Sequence, residues 1–198
     1  MAEPNNIAQL LKASPYELQK IQKNSSAWFE GQAFKLFSVN DMAPQQALKG
    51  DAAKLKGTFQ PGSMYFFMYD AKHKDKLPYY DMFPLVLPFG VTKGGFVGLN
   101  LHYLPYDLRI KLLWKLQDFN TSATLTPKAK MAFQWDTIKG VAKFKAAKPC
   151  VKQYLAGHVR SPFRLVSPTD WATAAMLPLE RFSGSDKFNV WSDSIRKM

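Results

Sequence analysis

Apolar residues between positions 62 and 103 come in short bursts, with no long helical stripe among them. Met64-Tyr65-Phe66-Phe67-Met68-Tyr69 is apolar on both alternating faces and rich in aromatics, which predicts a buried strand. Asp70 to Pro78 is polar and charged, as a loop would be. A second strand is expected over Phe83 to Phe89, where Leu85-Val86-Leu87 lies between two prolines. Gly90 to Gly95 reads as a turn region, with Gly94-Gly95 as its strongest signal. Phe96 to Tyr103 then alternates as a third strand. It would place Val97, Leu99, Leu101 and Tyr103 on one face and Asn100 and His102 on the other. Three short strands with tight connections predict an α+β fold built on a small antiparallel sheet, either SH3-like and closed into a barrel or simply curled.

Helical spacing appears around this block. Pro105 opens a helix expected over Tyr106 to Phe119, with Leu108, Leu112 and Leu116 on one stripe. Thr126-Pro127 is an N-cap with proline at the first helical position, and predicts a helix to about Lys145 weakened by Gly140. Val151–Ala156 and Val159–Val166 are strand candidates. Ser167-Pro168 starts a helix over Thr169 to Met176, and Leu177–Phe182 reads as a last edge strand before a polar tail.

The first sixty residues differ. Ser14-Pro15-Tyr16-Glu17 has the form of a capping box and predicts a helix to about Lys23, resuming from Ala27 to Phe37. Val39 to Gln60 then carries few large apolar side chains. Residues 1–60 are therefore expected to form a helical arm or peripheral layer, and residues 61–198 a single core domain.

Charge changes the picture most. The chain has 198 residues, 27 Lys plus Arg against 15 Asp plus Glu, and a formal net charge of +12. Such an imbalance attracts nucleic acid or other acidic surfaces. The excess is concentrated. Lys128, Lys130, Lys139, Lys143, Lys145, Lys148, Lys152, Arg160 and Arg164 share their stretch of sequence with one acid, Asp136. Aromatics are interleaved with them: Phe133, Trp135, Phe144, Tyr154 and Phe163. Lysines can also cover apolar surface with their methylene stems. The lack of compensating acids favours a phosphate-facing patch, because neutralising phosphates requires unpaired cations. Arg160 and Arg164, four apart on an expected strand, would point to one side. The smaller group Lys72, His73, Lys74 and Lys76 is compensated by Asp70 and Asp75 and reads as a solvated loop.

Catalytic chemistry is hard to assemble. The single cysteine, Cys150, excludes an internal disulfide and a multi-thiolate metal site, and reads as a core residue. His73, His102 and His158 lie far apart without metal-ligand spacing. Gly94-Gly95-Phe96-Val97-Gly98 fits a hairpin and is neither a phosphate loop nor a dinucleotide fingerprint. Asp70, Asp75 and Asp81 lack the context of a nuclease metal cluster. No apolar run approaches the length of a membrane span, and the polar start Met1–Asn6 is unlike a signal peptide. No catalytic residue, metal or cofactor is expected.

Three strings carry a resemblance: Gly62–Asp70, Leu77–Val86 with its Leu-Pro-Tyr-Tyr-Asp core, and Gly95–Pro105 with Leu-Asn-Leu-His-Tyr-Leu-Pro. Together with Tyr154-Leu155, His158–Ser161, Trp171 and Leu177–Phe182, they resemble the DNA end protector (head completion) family of T-even-like tailed phages over roughly residues 62–182. The resemblance implies a non-enzymatic virion protein, made in the host cytoplasm, that binds the ends of packaged double-stranded DNA and shields them from exonuclease. It implies DNA and other virion proteins as partners, with an oligomer in the particle as one arrangement, and no membrane. The alternative is a structural subunit of the tail, baseplate or neck held by its N-terminal arm. Within the resembling strings, Pro78-Tyr79-Tyr80-Asp81 is rigid and aromatic, and suits packing on the sheet or stacking on a base. Trp171 and Phe182 read as core.

Overall fold

The structure is a computed structural model that describes residues 63–117, 145–161, 163–166 and 170–198, together with Glu17, Lys20 and Gly140. The helices expected over 15–37 and most of the one over 127–145 lie outside the described residues, although Gly140 is helical.

The fold is α+β, as expected. Five strands, β1 (Met64–Phe66), β3 (Leu85–Thr92), β4 (Gly95–Asn100), β5 (Val151–Leu155) and β6 (Arg164–Val166), form one antiparallel sheet in the order β5-β4-β3-β1-β6. A separate ribbon pairs β2 (Tyr80–Asp81) with β7 (Phe182–Ser183). Three residues, Ala156–His158, carry the chain from Leu155, at the end of β5, to Val159, which bridges Tyr69 beyond β1. So short a link from the β5 edge to the far side of β3 requires a curled sheet. No ladder joins β5 to β6 among the described residues, so the sheet is open and the expected barrel is not closed.

Several boundaries differ from expectation for local reasons. The first strand stops at Phe66, because the Met68 amide donates to the Ser161 hydroxyl (2.8 Å) before pairing resumes at Tyr69. The second strand runs through the expected turn region to Thr92. Its ladder shifts register between Pro88, which has no amide hydrogen, and Gly90. The turn is only Lys93-Gly94, with Gly94 at φ 81°. The third strand ends at Asn100, and Leu101–Tyr103 is a 3-10 turn capped by the Asn100 side chain.

Gly95 has a packing reason to be glycine. A Cβ there would lie 1.9 Å from the Tyr154 carbonyl oxygen on the paired strand β5. Gly95→Ala should therefore pry β4 from β5 and destabilise the protein by about 1–3 kcal/mol. Urea unfolding checks this, and an unchanged midpoint would contradict the close approach.

Two cores result from the pleat. Met64, Phe66, Leu85, Leu87 and Leu99 face the helices. They meet Ile110 and Leu113 of α1 (Tyr106–Gln117), Trp171 and Ala175 of α2 (Trp171–Met176), and Val190 of α3 (Lys187–Arg196). The opposite pleat buries Phe67, Tyr69, Val86, Phe96, Tyr154 and Val159 in an aromatic box against Phe163. Phe182, expected as core, packs edge-on to Tyr103 at 5.1 Å. The expected edge strand 177–182 is reduced to β7. The tail, expected to be merely polar, forms α3, whose N-cap Asp186 accepts from the amides of Phe188 and Asn189. The buried face of α1 is also rotated from the expected stripe. It takes in Arg109, Ile110, Leu112 and Leu113, so of the expected stripe Leu112 is buried while Leu108 is only half-buried.

Arg109 explains that rotation. Its guanidinium is fully buried and donates to the carbonyls of Leu104 (2.7 Å), Ala175 (3.3 Å) and His102 (3.2 Å). It also pairs with the buried Glu180 carboxylate at 2.5 Å and lies over the rings of Tyr106 and Trp191. One side chain thus ties α1 to the 3-10 turn, the end of α2, the segment before β7, and α3.

Candidate nucleic-acid interface

Lys128, Lys130, Lys139 and Lys143 of the basic segment lie outside the described residues. Lys145 starts a 3-10 segment running to Cys150, in which Lys148 is exposed. Arg160 is exposed but not unpaired. It reaches the Asp70 carboxylate at 3.4 Å and donates to the Gly157 carbonyl at 3.2 Å. Asp70 stands ninety residues away in sequence, so counting acids along the basic segment misses it. Asp70 also binds Lys74 at 3.2 Å, and that contact first, then Arg160, holds its carboxyl below the usual range. Arg164 sits half-buried on β6. Arg160 lies outside that strand, so the two arginines do not share one strand face as expected.

Lys152 is placed differently. It lies on β5, the edge strand opposite β6, with its ammonium 3.8 Å from the centre of the Tyr103 ring. It makes no ion pair with any of the described residues. Beside β5 runs a cleft of about 470 Å³, lined on its other side by residues between Tyr69 and Asp81. Five tyrosines line it: Tyr69, Tyr79, Tyr80, Tyr103 and Tyr154. Lys152 is in its wall, and Lys72 and His73 contribute from the loop.

The cleft is built on a rigid floor. Asp81, buried on β2, accepts from the Phe83 amide (3.0 Å) and from Asn100 Nδ2 (3.0 Å), and meets His102 Nδ1 at 2.8 Å. Asn100 also donates to the Tyr154 hydroxyl at 3.0 Å. Asn100 and His102, expected on one strand face, are thus joined through a strand end, a 3-10 turn and a shared carboxylate. The Asp–His contact has no nucleophile bonded to it among the described residues, and its hydrogen bonds hold β2 against β4. Tyr79 is fixed by a hydrogen bond to Asp193 on α3, which Lys197 also binds at 2.6 Å. Tyr80 pairs with Ser183 and reaches Asp70 at 3.4 Å.

Burial depresses the Lys152 ammonium to about 8. An unfolded lysine keeps its proton up to about 10.4. Between those values the unfolded chain holds a proton that the folded chain lacks, so this group's penalty is complete below about 8 and fades as pH rises through the window. Lys152→Met should thus be at least as stable as wild type at pH 7. Its advantage in urea midpoint should shrink between pH 8 and 10.5, and a constant difference would contradict the burial of this cation. Cys150, by contrast, is enclosed, and burial pushes its thiol up to about 12, which makes it a core residue. It does not pair with His158, whose Nδ1 meets the Asp70 carbonyl at 2.9 Å.

Among the described residues, no His, Cys, Asp or Glu group could hold a metal ion, and no helix is long and apolar enough to cross a membrane. No curated protein and no solved structure matches the chain. One protein family does, described as phage T4 terminal DNA protecting protein, and the match spans residues 15–194. It extends beyond the 62–182 stretch on which the resemblance rested and takes in most of the N-terminal segment that had been set apart. With nine-tenths of its length matched, the chain belongs to the family of the phage T4 terminal DNA protecting protein.

Proposed function

We propose that the protein protects the ends of linear double-stranded phage DNA by occupying them, as a virion component and without catalysis. The observation that carries this reading is the family match over residues 15–194. The net charge of +12 supports it, because contacts to phosphates need cations that are not already neutralised. In this reading Lys128, Lys130, Lys139, Lys143, Lys145, Lys148, Lys152, Arg160 and Arg164 supply contacts to the DNA backbone. Such contacts position the protein with little sequence readout. Arg160 must exchange Asp70 for a phosphate to take part, so it contributes less than an unpaired cation would.

The test is digestion of a linear duplex by an added exonuclease, with and without the purified protein. Protection should appear at a few protein molecules per DNA end and should not depend on the terminal sequence. An endonuclease acting far from the ends should cut at its normal rate. Digestion at an unchanged rate with the protein in excess would overturn the proposal.

A further inference from the structure

The tyrosine cleft beside β5 is more than a place where aromatic residues meet. Its geometry combines two features. The first is a partly buried ammonium, that of Lys152, which lies over the Tyr103 ring and makes no ion pair among the described residues, Asp193 acting on it only from beyond ion-pair distance. A cation removed from water and left without an ion pair destabilises a protein, and such a group in a cleft marks a candidate binding site. Asp81, in the floor, forms no ion pair with it, and its oxygens are bound by Phe83, Asn100 and His102. The second feature is a set of held aromatic rings. Tyr79 is fixed by Asp193 and Tyr80 by the β2–β7 ribbon, and both remain half-buried at the cleft.

We propose that this cleft receives one nucleotide extruded from the end of a DNA strand, its base stacked on Tyr79 or Tyr80 and its phosphate held by Lys152. This rests on the end-protecting reading and gives it a mechanism. A cleft of about 470 Å³ lies within the ~300–1,000 Å³ range of small-ligand sites. It is sized for a single nucleotide, and a stretch of duplex would not enter. Tyrosine faces stack on any base, so the site would not read sequence. Lys72 and His73, on the same cleft, are placed for the next phosphate. Only a strand terminus can yield its last nucleotide without breaking stacking on both sides, so the cleft separates an end from the interior of the duplex. A terminal nucleotide seated there is also out of reach of an exonuclease.

The experiment compares affinities of the full chain for short linear duplexes. One carries matched ends, one a mismatched terminal pair, and two carry an abasic unit at the 5′ or the 3′ terminal position. The mismatch frees the terminal base and should tighten binding. Loss of the stacked base should weaken binding by roughly 5- to 150-fold at one of the two abasic positions, which names the strand. Lys152→Met, checked for folding by its thermal transition, should bind matched ends several-fold more weakly and lose sensitivity to the abasic unit. If wild type prefers ends over closed DNA yet neither abasic end weakens binding and Lys152→Met binds as wild type, the cleft proposal is overturned while end protection stands. If wild type shows no preference for ends, it is the end-protecting reading that fails.

Discussion

Replacing Arg109 by Met should cost about 3–5 kcal/mol of stability, the largest effect expected of any single side chain here. The change leaves the Glu180 carboxylate buried without its principal partner and takes donors from three buried carbonyls, those of Leu104, Ala175 and His102. Lys187, at 3.8 Å from Glu180, compensates only in part, since it approaches from the surface side. Against a total stability on the order of 5–15 kcal/mol, the loss brings the protein close to unfolding at ordinary temperature. Removing both charges, as Arg109→Met with Glu180→Leu, should recover much of it, because two apolar side chains carry no desolvation cost. Urea midpoints of the two single variants and the double variant give the coupling. A single-variant loss below about 1 kcal/mol would show that the pair does not hold these elements together.

The second large effect is on DNA binding. With about six to eight phosphate contacts from the basic segment, affinity should fall with salt at a log–log slope of roughly −5 to −7. Raising monovalent salt fourfold then weakens binding by about 10³- to 10⁴-fold. Lys143→Glu together with Arg160→Glu should flatten the slope and weaken binding to all sequences alike, with the thermal transition retained. Titrations at four or five salt concentrations measure this. A slope near zero would mean that the positive charge serves something other than DNA.

What the sequence made legible follows from the range of each interaction. The short apolar runs at Met64–Phe66 and Leu85–Leu87 send neighbouring residues to two different cores, and both strands were readable because a short apolar run is a local signal. Tight turns were readable for the same reason, as Lys93-Gly94 shows. The barrel, as opposed to a curled sheet, was not readable, because closure depends on a ladder between β5 and β6 that no local pattern encodes. The Arg109–Glu180 pair spans seventy-one positions, and the apolar stripe Leu108, Leu112 and Leu116 carried no sign of it. Helix α3 did leave a signal: Asp186 as a cap, then Val190, Trp191 and Ser194 at helical spacing. Its polar composition hid it.

The candidate site was half legible. The tyrosine-rich string 79–80 and the basic segment both stood out, but nothing in the sequence brings them together. The link is β5, where Lys152 and Tyr154 are two apart and line the cleft built by residues 69–81. Arg160 shows the converse. It looked like a free cation, and a distant Asp70 had already claimed it.

End protection by occupancy requires the protein to tell an end from the interior of a duplex. The most direct test is its binding to a linear duplex and to a covalently closed circle of the same sequence, at equal concentration and one fixed, near-physiological salt. The account predicts clear preference for the linear form, with binding that saturates at a fixed number of molecules per end and does not grow with duplex length. Equal binding to both forms, or binding that scales with length, would contradict it.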